Sequence, residues 1–337
     1  MLKHKWIYTL FVYGTIFSIC TLPVQADDDD DENRPQVREY WVSAKKVNWD
    51  YAPSGINKIK PDEGLGPWGA TTQYTKYRYF AHSKNFAREL PQAQHRGILG
   101  PELRAVEGDT IKIHFRNDAD KPLTMHPHGV RYTPQHDGAD YALSGQAGAK
   151  VLPGQTHTYI WHADKDASPG PNDESSIVWA YHSHVDSVTE IYDGLIGTIV
   201  ITKAGMQRSK YDPRPKDVDK EFSTLFMVFN EEDGEEGGLM HAMNGYIFGN
   251  LEGYVVNKHD RVRWYLVAMG TEVDLHTAHW HGQTVLDQGR RTDVVELLPT
   301  SMKTVTMKAS NPGTWLYHCH VTDHITAGMM ARWTVLP

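Results

Sequence analysis

"WLYHCHVTDHITAGM", Trp315 to Met329, places three histidines, one cysteine and a methionine within fifteen residues. In an extended segment successive side chains point to opposite faces, so His318 and His320 share one face and Cys319 takes the other. The stretch "HTAHWHG", His276 to Gly282, obeys the same rule: His279 and His281 fall together and His276, three residues earlier, falls opposite. One face thus gathers His276 and Cys319, joined by His324 from the following turn and by Met329. The other carries histidines only.

Working outward, apolar and polar residues alternate in "TIKIHFRN" (110–117), "TIVITK" (198–203), "RVRWYLVAM" (261–269) and "TVTMKAS" (304–310), with turns at "LPGQ" and "NPGT". That period marks short, half-buried strands, and no segment shows a long helical period. The pattern also occurs twice. "EGDTIKIHFRN", "HPHG", "VWAYHSH" and "GLIGTIVI" in the first half answer to "HDRVRWYLVAMG", "HWHG", "WLYHCH" and "AGMMARWTV" in the second. The expected fold is all-β: two Greek-key β-sandwich domains at 39–203 and 221–337, joined by a polar, proline-interrupted linker at 204–220.

Residues 1–26 read as a signal peptide, with Lys3 and Lys5, an apolar run and a small-residue cleavage site at Ala26. Export to the periplasm or the exterior follows, with no stable membrane anchor after cleavage. Of the two cysteines, Cys20 lies in that segment, which leaves Cys319 as the mature chain's thiol and denies it an intrachain disulfide. Asp27 to Glu32 open an acidic, disordered lead-in over 27–38. A formal net charge of −8 argues against a nucleic-acid partner.

A thiolate, two imidazoles and a thioether form the ligand set of a blue-copper electron-transfer site, which gives Cys319 its partner. The pairs His126/His128, His182/His184, His279/His281 and His318/His320 supply eight more imidazoles, enough for three further metal ions with open positions. Zinc accepts imidazole but has no redox chemistry to use the adjacent cysteine.

At these residues the chain resembles the multicopper oxidases over nearly its whole mature length, in the motifs HxHG, HxH, HxxHxH and HCHxxxHxxxxM. Its wording, in "YHSHVDS", "MHAMNGYIFGNLEG" and "HCHVTDHITAGM", is similar to the ceruloplasmin type; its two-domain length is similar to the small laccases. The resemblance implies two cupredoxin-like domains and four coppers per functional unit. Type 1 copper would take His276, Cys319, His324 and Met329; type 2 copper His126 and His279; and the type 3 pair His128, His182, His184, His281, His318 and His320. In domain one Ser183 stands in place of Cys319 and Leu123 in place of His276, so a second type 1 site is not expected. Two-domain members assemble as homotrimers with each cluster between subunits, and the same is expected here. Asp137 matches a cluster-side acid and Tyr132 a nearby tyrosine, both assigned to proton supply.

The resemblance makes laccase-like oxidation of phenolic or aromatic donors, coupled to four-electron reduction of dioxygen to water, the default function. Ferroxidase activity is the alternative, with Glu236, His241 and Asp323 beside type 1 copper and Glu272 from the adjoining subunit; by residue pattern alone, Glu236 also reads as part of a solvated acidic loop. A copper nitrite reductase would put type 1 copper in the first domain, and a copper carrier would have little use for a trinuclear arrangement.

Overall fold

The computed structural model describes residues 34–141, 146–231, 236–271 and 273–337, with the side chain of Glu236 excluded. The expected signal peptide with Cys20, the run Asp27 to Glu32, and Glu272 lie outside the described residues. Among the described residues, no helix is long and apolar enough to cross a membrane.

Among the described residues the chain is built from strands, with short 3-10 turns and two short helices, Ser187–Tyr192 and Thr322–Thr326. In the first half, Gln73–His82, Val37–Asp50, Thr110–Asn117 and Thr156–His162 form one sheet, in that order. Glu102–Val106, Ile196–Thr202, Ser176–His182 and His126–Pro127 form the second. The second half repeats the scheme. A six-stranded sheet is centred on Arg261–Ala268 and Met302–Lys308, and a five-stranded sheet holds Gly313–Cys319 between Met330–Leu336 and His276–Trp280. The parallel pairing of Val37–Asp50 with Thr110–Asn117 begins at Val37, so the last two residues of the expected disordered lead-in are already strand. The linker is likewise partly ordered: Gln207–Ser209 pairs antiparallel with Asp212–Pro215 around a turn in which Ser209 Oγ accepts from the Tyr211 and Asp212 amides.

Burial explains where alternation is visible. Thr110–Asn117 is buried at every second residue, the signature of a sheet with one face on the core. Ile196–Thr202 is buried throughout, because Ile199 and Ile201 face the first core while Ile196 and Val200 face a second apolar layer. Lys220–Asn230 mirrors it: Phe222, Phe226 and Val228 face the core of the second half, and Leu225, Met227 and Phe229 enter the shared layer. That layer also contains Trp49, Tyr51, Ile98, Tyr265 and Ala327, and it seals the two halves together. Each large apolar side chain removed from water there contributes about 1.5–3 kcal/mol.

A polar seam crosses the same boundary. Arg104 pairs with Glu221 at 2.9 Å, Arg96 with Glu102 at 2.8 Å, and Ser223 Oγ donates to Glu102 at 2.6 Å. Burial would raise the Glu102 carboxyl, but Arg104 and Arg96 outweigh it and hold the group at about 2. A carboxyl depressed on folding contributes stability above its unfolded value near 4.5, and that contribution is lost as pH falls toward about 2. Thermal or denaturant unfolding between pH 5 and pH 2 should therefore show a loss approaching ~1.4 kcal/mol per pH unit for this one proton. In Glu102→Gln the slope should shrink by that amount; an unchanged slope would show that the seam does not carry the acid response.

Candidate metal centres

Strand register brings the paired histidines face to face. His126 lies opposite His182 across the first sheet, and His279 lies opposite His318 across the second. Each quartet closes into a tight group. The His126 ring sits 5.6, 5.4 and 4.9 Å from those of His128, His182 and His184, and the His279 ring sits 5.0, 5.3 and 5.4 Å from those of His281, His318 and His320.

The backbone decides which ring nitrogen is free. His126 Nδ1 donates to the Asp137 carbonyl and His279 Nδ1 to the Asp293 carbonyl, both at 2.8 Å. His182 Nδ1 donates to the Ser183 carbonyl at 2.8 Å and His318 Nδ1 to the Cys319 carbonyl at 2.6 Å. With Nδ1 occupied, Nε2 keeps its lone pair and turns inward. His128 Nε2 and His182 Nε2 lie 3.0 Å apart, as do His281 Nε2 and His318 Nε2. At that spacing either one nitrogen carries a proton and donates it to the other, or a cation sits between two lone pairs. Burial, helped by the neighbouring imidazoles, pushes His182 down to about 3 and His128 and His318 to about 4, so the rings are neutral ligands at ordinary pH.

Within one chain the quartets are two separate groups. Among the described residues, the triads able to hold a metal ion are His126/His128/His182 and His279/His281/His318, and neither takes a residue from the other half. Instead, His279 and His281 border an open groove of about 700 Å³ lined only by residues 279–315, among them Arg291, Asp293, Lys308 and Trp315.

The third triad is His276, Cys319 and His324, all buried. Alternation holds as expected: Cys319 enters the core of the second half while His318 and His320 belong to the quartet. Here the backbone leaves the other ring nitrogen free. His276 Nε2 is held by Asp274 Oδ1 at 3.1 Å and His324 bonds the Val273 carbonyl, so the two Nδ1 atoms converge 3.1 Å apart, at 3.8 and 3.5 Å from Cys319 Sγ. The Thr277 amide donates to the sulfur at 3.4 Å. Met329 is fully buried in the same core, and its carbonyl takes the Cys319 amide at 3.1 Å. Two imidazoles, a thiol and a thioether in a dry pocket fit copper, and the all-imidazole quartets fit it equally.

The first half carries the outline of this pocket without its ligands. Leu123 and Ser183 are fully buried, and the Thr124 amide donates to Ser183 Oγ at 3.0 Å where Thr277 serves Cys319. The threonines repeat once more: the His184 amide donates to Thr124 Oγ1 and the His320 amide to the Thr277 carbonyl.

Asp137 is buried, with Oδ1 3.1 Å from His126 Nδ1, and Tyr132 hydrogen-bonds to it; burial first, then Asp137, raises the Tyr132 hydroxyl to about 12. Beside the third triad, His241 packs against His324 with ring centroids 5.1 Å apart and donates from Nδ1 to the Leu239 carbonyl at 2.8 Å. Asp323 is exposed one residue away from His324. Glu236 opens the turn Glu236–Gly238, which leads into the strand of His241. Two carboxylates escaped the sequence reading. Asp274, fully buried, also accepts the Val228 and Thr271 amides, and its place two residues before His276, hence on the same face, was a legible signal. Asp293 lies fourteen residues from His279, and no local pattern ties the two together.

Residues 92–205 and 217–337 each match a multicopper oxidase family. Human ferroxidase HEPHL1 is 33% identical over 92% of this chain and 30% of its own length; mouse ceruloplasmin is 34% identical over 89% of this chain and 31% of its own. The chain therefore spans about a third of the length of these curated relatives. A crystal structure of a multicopper oxidase superposes with a TM-score of 0.63 at 24% identity, covering 89% of both chains, which agrees with the all-β, cupredoxin-like fold.

The glycines closing "HPHG" and "HWHG" test how tightly the quartets are built. Both have positive φ, +74° at Gly129 and +70° at Gly282, but a Cβ on Gly129 would meet the Trp179 ring at 2.1 Å whereas one on Gly282 would meet Trp315 at 3.0 Å. Gly129→Ala should cost ~2 kcal/mol or more and lower bound metal in the quartet; Gly282→Ala should cost about half as much. Equal metal content and equal melting temperatures in the two variants would contradict this geometry.

Proposed function

The chain belongs to the multicopper oxidase family, and from that premise we propose that it oxidises Fe(II) at the His241 side of the sulfur site and reduces dioxygen to water. The observation that carries the choice of donor is the His241 ring packed 5.1 Å from His324 at a tilt of 54°, with Nδ1 tied back so that Nε2 is left for a cation. Asp323, exposed beside His324, would supply a hard oxygen ligand that suits iron. The ferroxidase relative favours the same reading, and phenolic donors are the alternative.

Type 1 copper would be held by His276, Cys319, His324 and Met329. His126 and His279 would hold type 2 copper, and the remaining six histidines the type 3 pair, four coppers in all. When bound, copper supplies one-electron exchange at the sulfur site and dioxygen reduction at the cluster. The chain's own residues do the rest. Cys319 is flanked by His318 and His320, so a few backbone bonds join the two sites. His276 Nε2 is tied to Asp274 and the His324 ring to the Val273 carbonyl, which supports a donor at His241 rather than against His276. Asp137 positions His126 and offers a carboxylate for protons on their way to the cluster, with Tyr132 hydrogen-bonded behind it.

Completion of the cluster in a homotrimer is supported by the open groove beside His279 and His281, which a first half from a second copy would fill. Light scattering should give three times the chain mass, and a variant driven to monomer should keep its blue absorbance while losing oxygen uptake. A monomer that consumes dioxygen at the full rate would refute the shared cluster.

For the donor, Asp323→Ala and His241→Ala should each lower kcat/KM for Fe(II) by ~10-fold or more while that for 2,6-dimethoxyphenol stays within about two-fold. Equal losses on both donors, or a parent protein that strongly prefers the phenol, would remove the ferroxidase reading.

A further inference from the structure

Resting on the Fe(II) reading above, we propose that Trp68 is a specificity-determining residue: its indole, edge-on to His241, walls that ring against planar aromatic donors and leaves it to a small cation. Trp68 comes from the first half, on the short turn Gly66–Gly69, yet its contacts are in the second. Its Nε1 donates to the Leu239 carbonyl at 3.0 Å, the same oxygen that fastens His241 Nδ1. The indole therefore shares an anchor with the donor-side histidine.

Its ring stands edge-on to His241, centroids 6.3 Å apart at 84°, and lies 5.9 Å from Phe248. Phe248 in turn continues the wall toward the methionine. Its amide donates to the Gly328 carbonyl at 2.7 Å, and a Cβ on Gly328 would strike its ring at 2.6 Å. Trp68, His241 and Phe248 thus form a continuous aromatic rim beside His324 and Met329. Below it, the turn Gly66–Gly69 rests on Glu236–Gly238 so closely that a Cβ on Gly237 would lie 3.1 Å from the Pro67 carbonyl. With Trp68 only 7% exposed, its neighbours hold the indole in place against His241. A cation needs only the free nitrogen of His241 and the exposed carboxylate of Asp323.

The test uses the copper-loaded full chain, mixed anaerobically with Fe(II) or 2,6-dimethoxyphenol while the blue absorbance bleaches. Trp68→Ala should speed bleaching by the phenol ~10-fold and leave that by Fe(II) within about two-fold, with Trp68→Phe close to the parent. Zn(II), a redox-inert stand-in for Fe(II), should bind parent and Trp68→Ala alike, since the indole is not a ligand. Should Trp68→Ala fold poorly, Trp68→Leu gives the same reading. An unchanged phenol-to-iron ratio, equal changes for both donors, or loss of Zn(II) binding would each overturn the proposal. The Fe(II) reading is judged separately, on the parent's donor preference and on Asp323→Ala.

Discussion

Everything in this molecule depends on which way one side chain points. Cys319 lies between two histidines in the strand Gly313–Cys319, and the pleat sends its sulfur to the core while the imidazoles go to the other side. Pairing with Ala278 on one neighbour and the bond to the Met329 carbonyl on the other pin that register, and the Thr277 amide meets the sulfur itself. A slip of one residue would exchange the faces, leaving imidazole in the apolar core and a thiol in the quartet. The cost of burying those groups unpaired keeps the strand in place.

The two halves show how a repeated scaffold was put to unequal use. Both retain the threonine that supports the second histidine of the pair, the carbonyl that fixes the first ring, and the glycine that turns the chain after HxHG. Among the described residues, the second half holds a thiol and two imidazoles at this position, and the first fills the equivalent pocket with Leu123 and Ser183. An apolar plug and a bonded hydroxyl keep that position dry without a metal. Each half still gathers four converging imidazoles, with His182 and His318 buried and the others reaching solvent, an arrangement that makes sense if another half is to meet them.

The layer between the halves serves two purposes. Its apolar side chains and the Glu102–Arg104–Glu221 seam hold the sandwiches in one arrangement. The same arrangement carries Trp68 across to the donor side of the sulfur site. The aromatic rim beside His241 is therefore a product of domain packing.

The sequence by itself determined the all-β class, the repeat and the sorting of ligands between two faces, because period-two alternation is a local property that any extended segment must obey. Parity alone separated Cys319 from His318 and His320, and it would also have placed Asp274 with His276. It was blind to Ile196–Thr202 and Lys220–Asn230 as elements of a shared layer, since strands buried on both faces lose their alternation. Nor could it pair Asp293 with His279, choose Nε2 in the quartets and Nδ1 at the sulfur, or bring Trp68 onto His241. Those relations join residues far apart in the chain, and only tertiary packing, which sets distances no local period encodes, decided them.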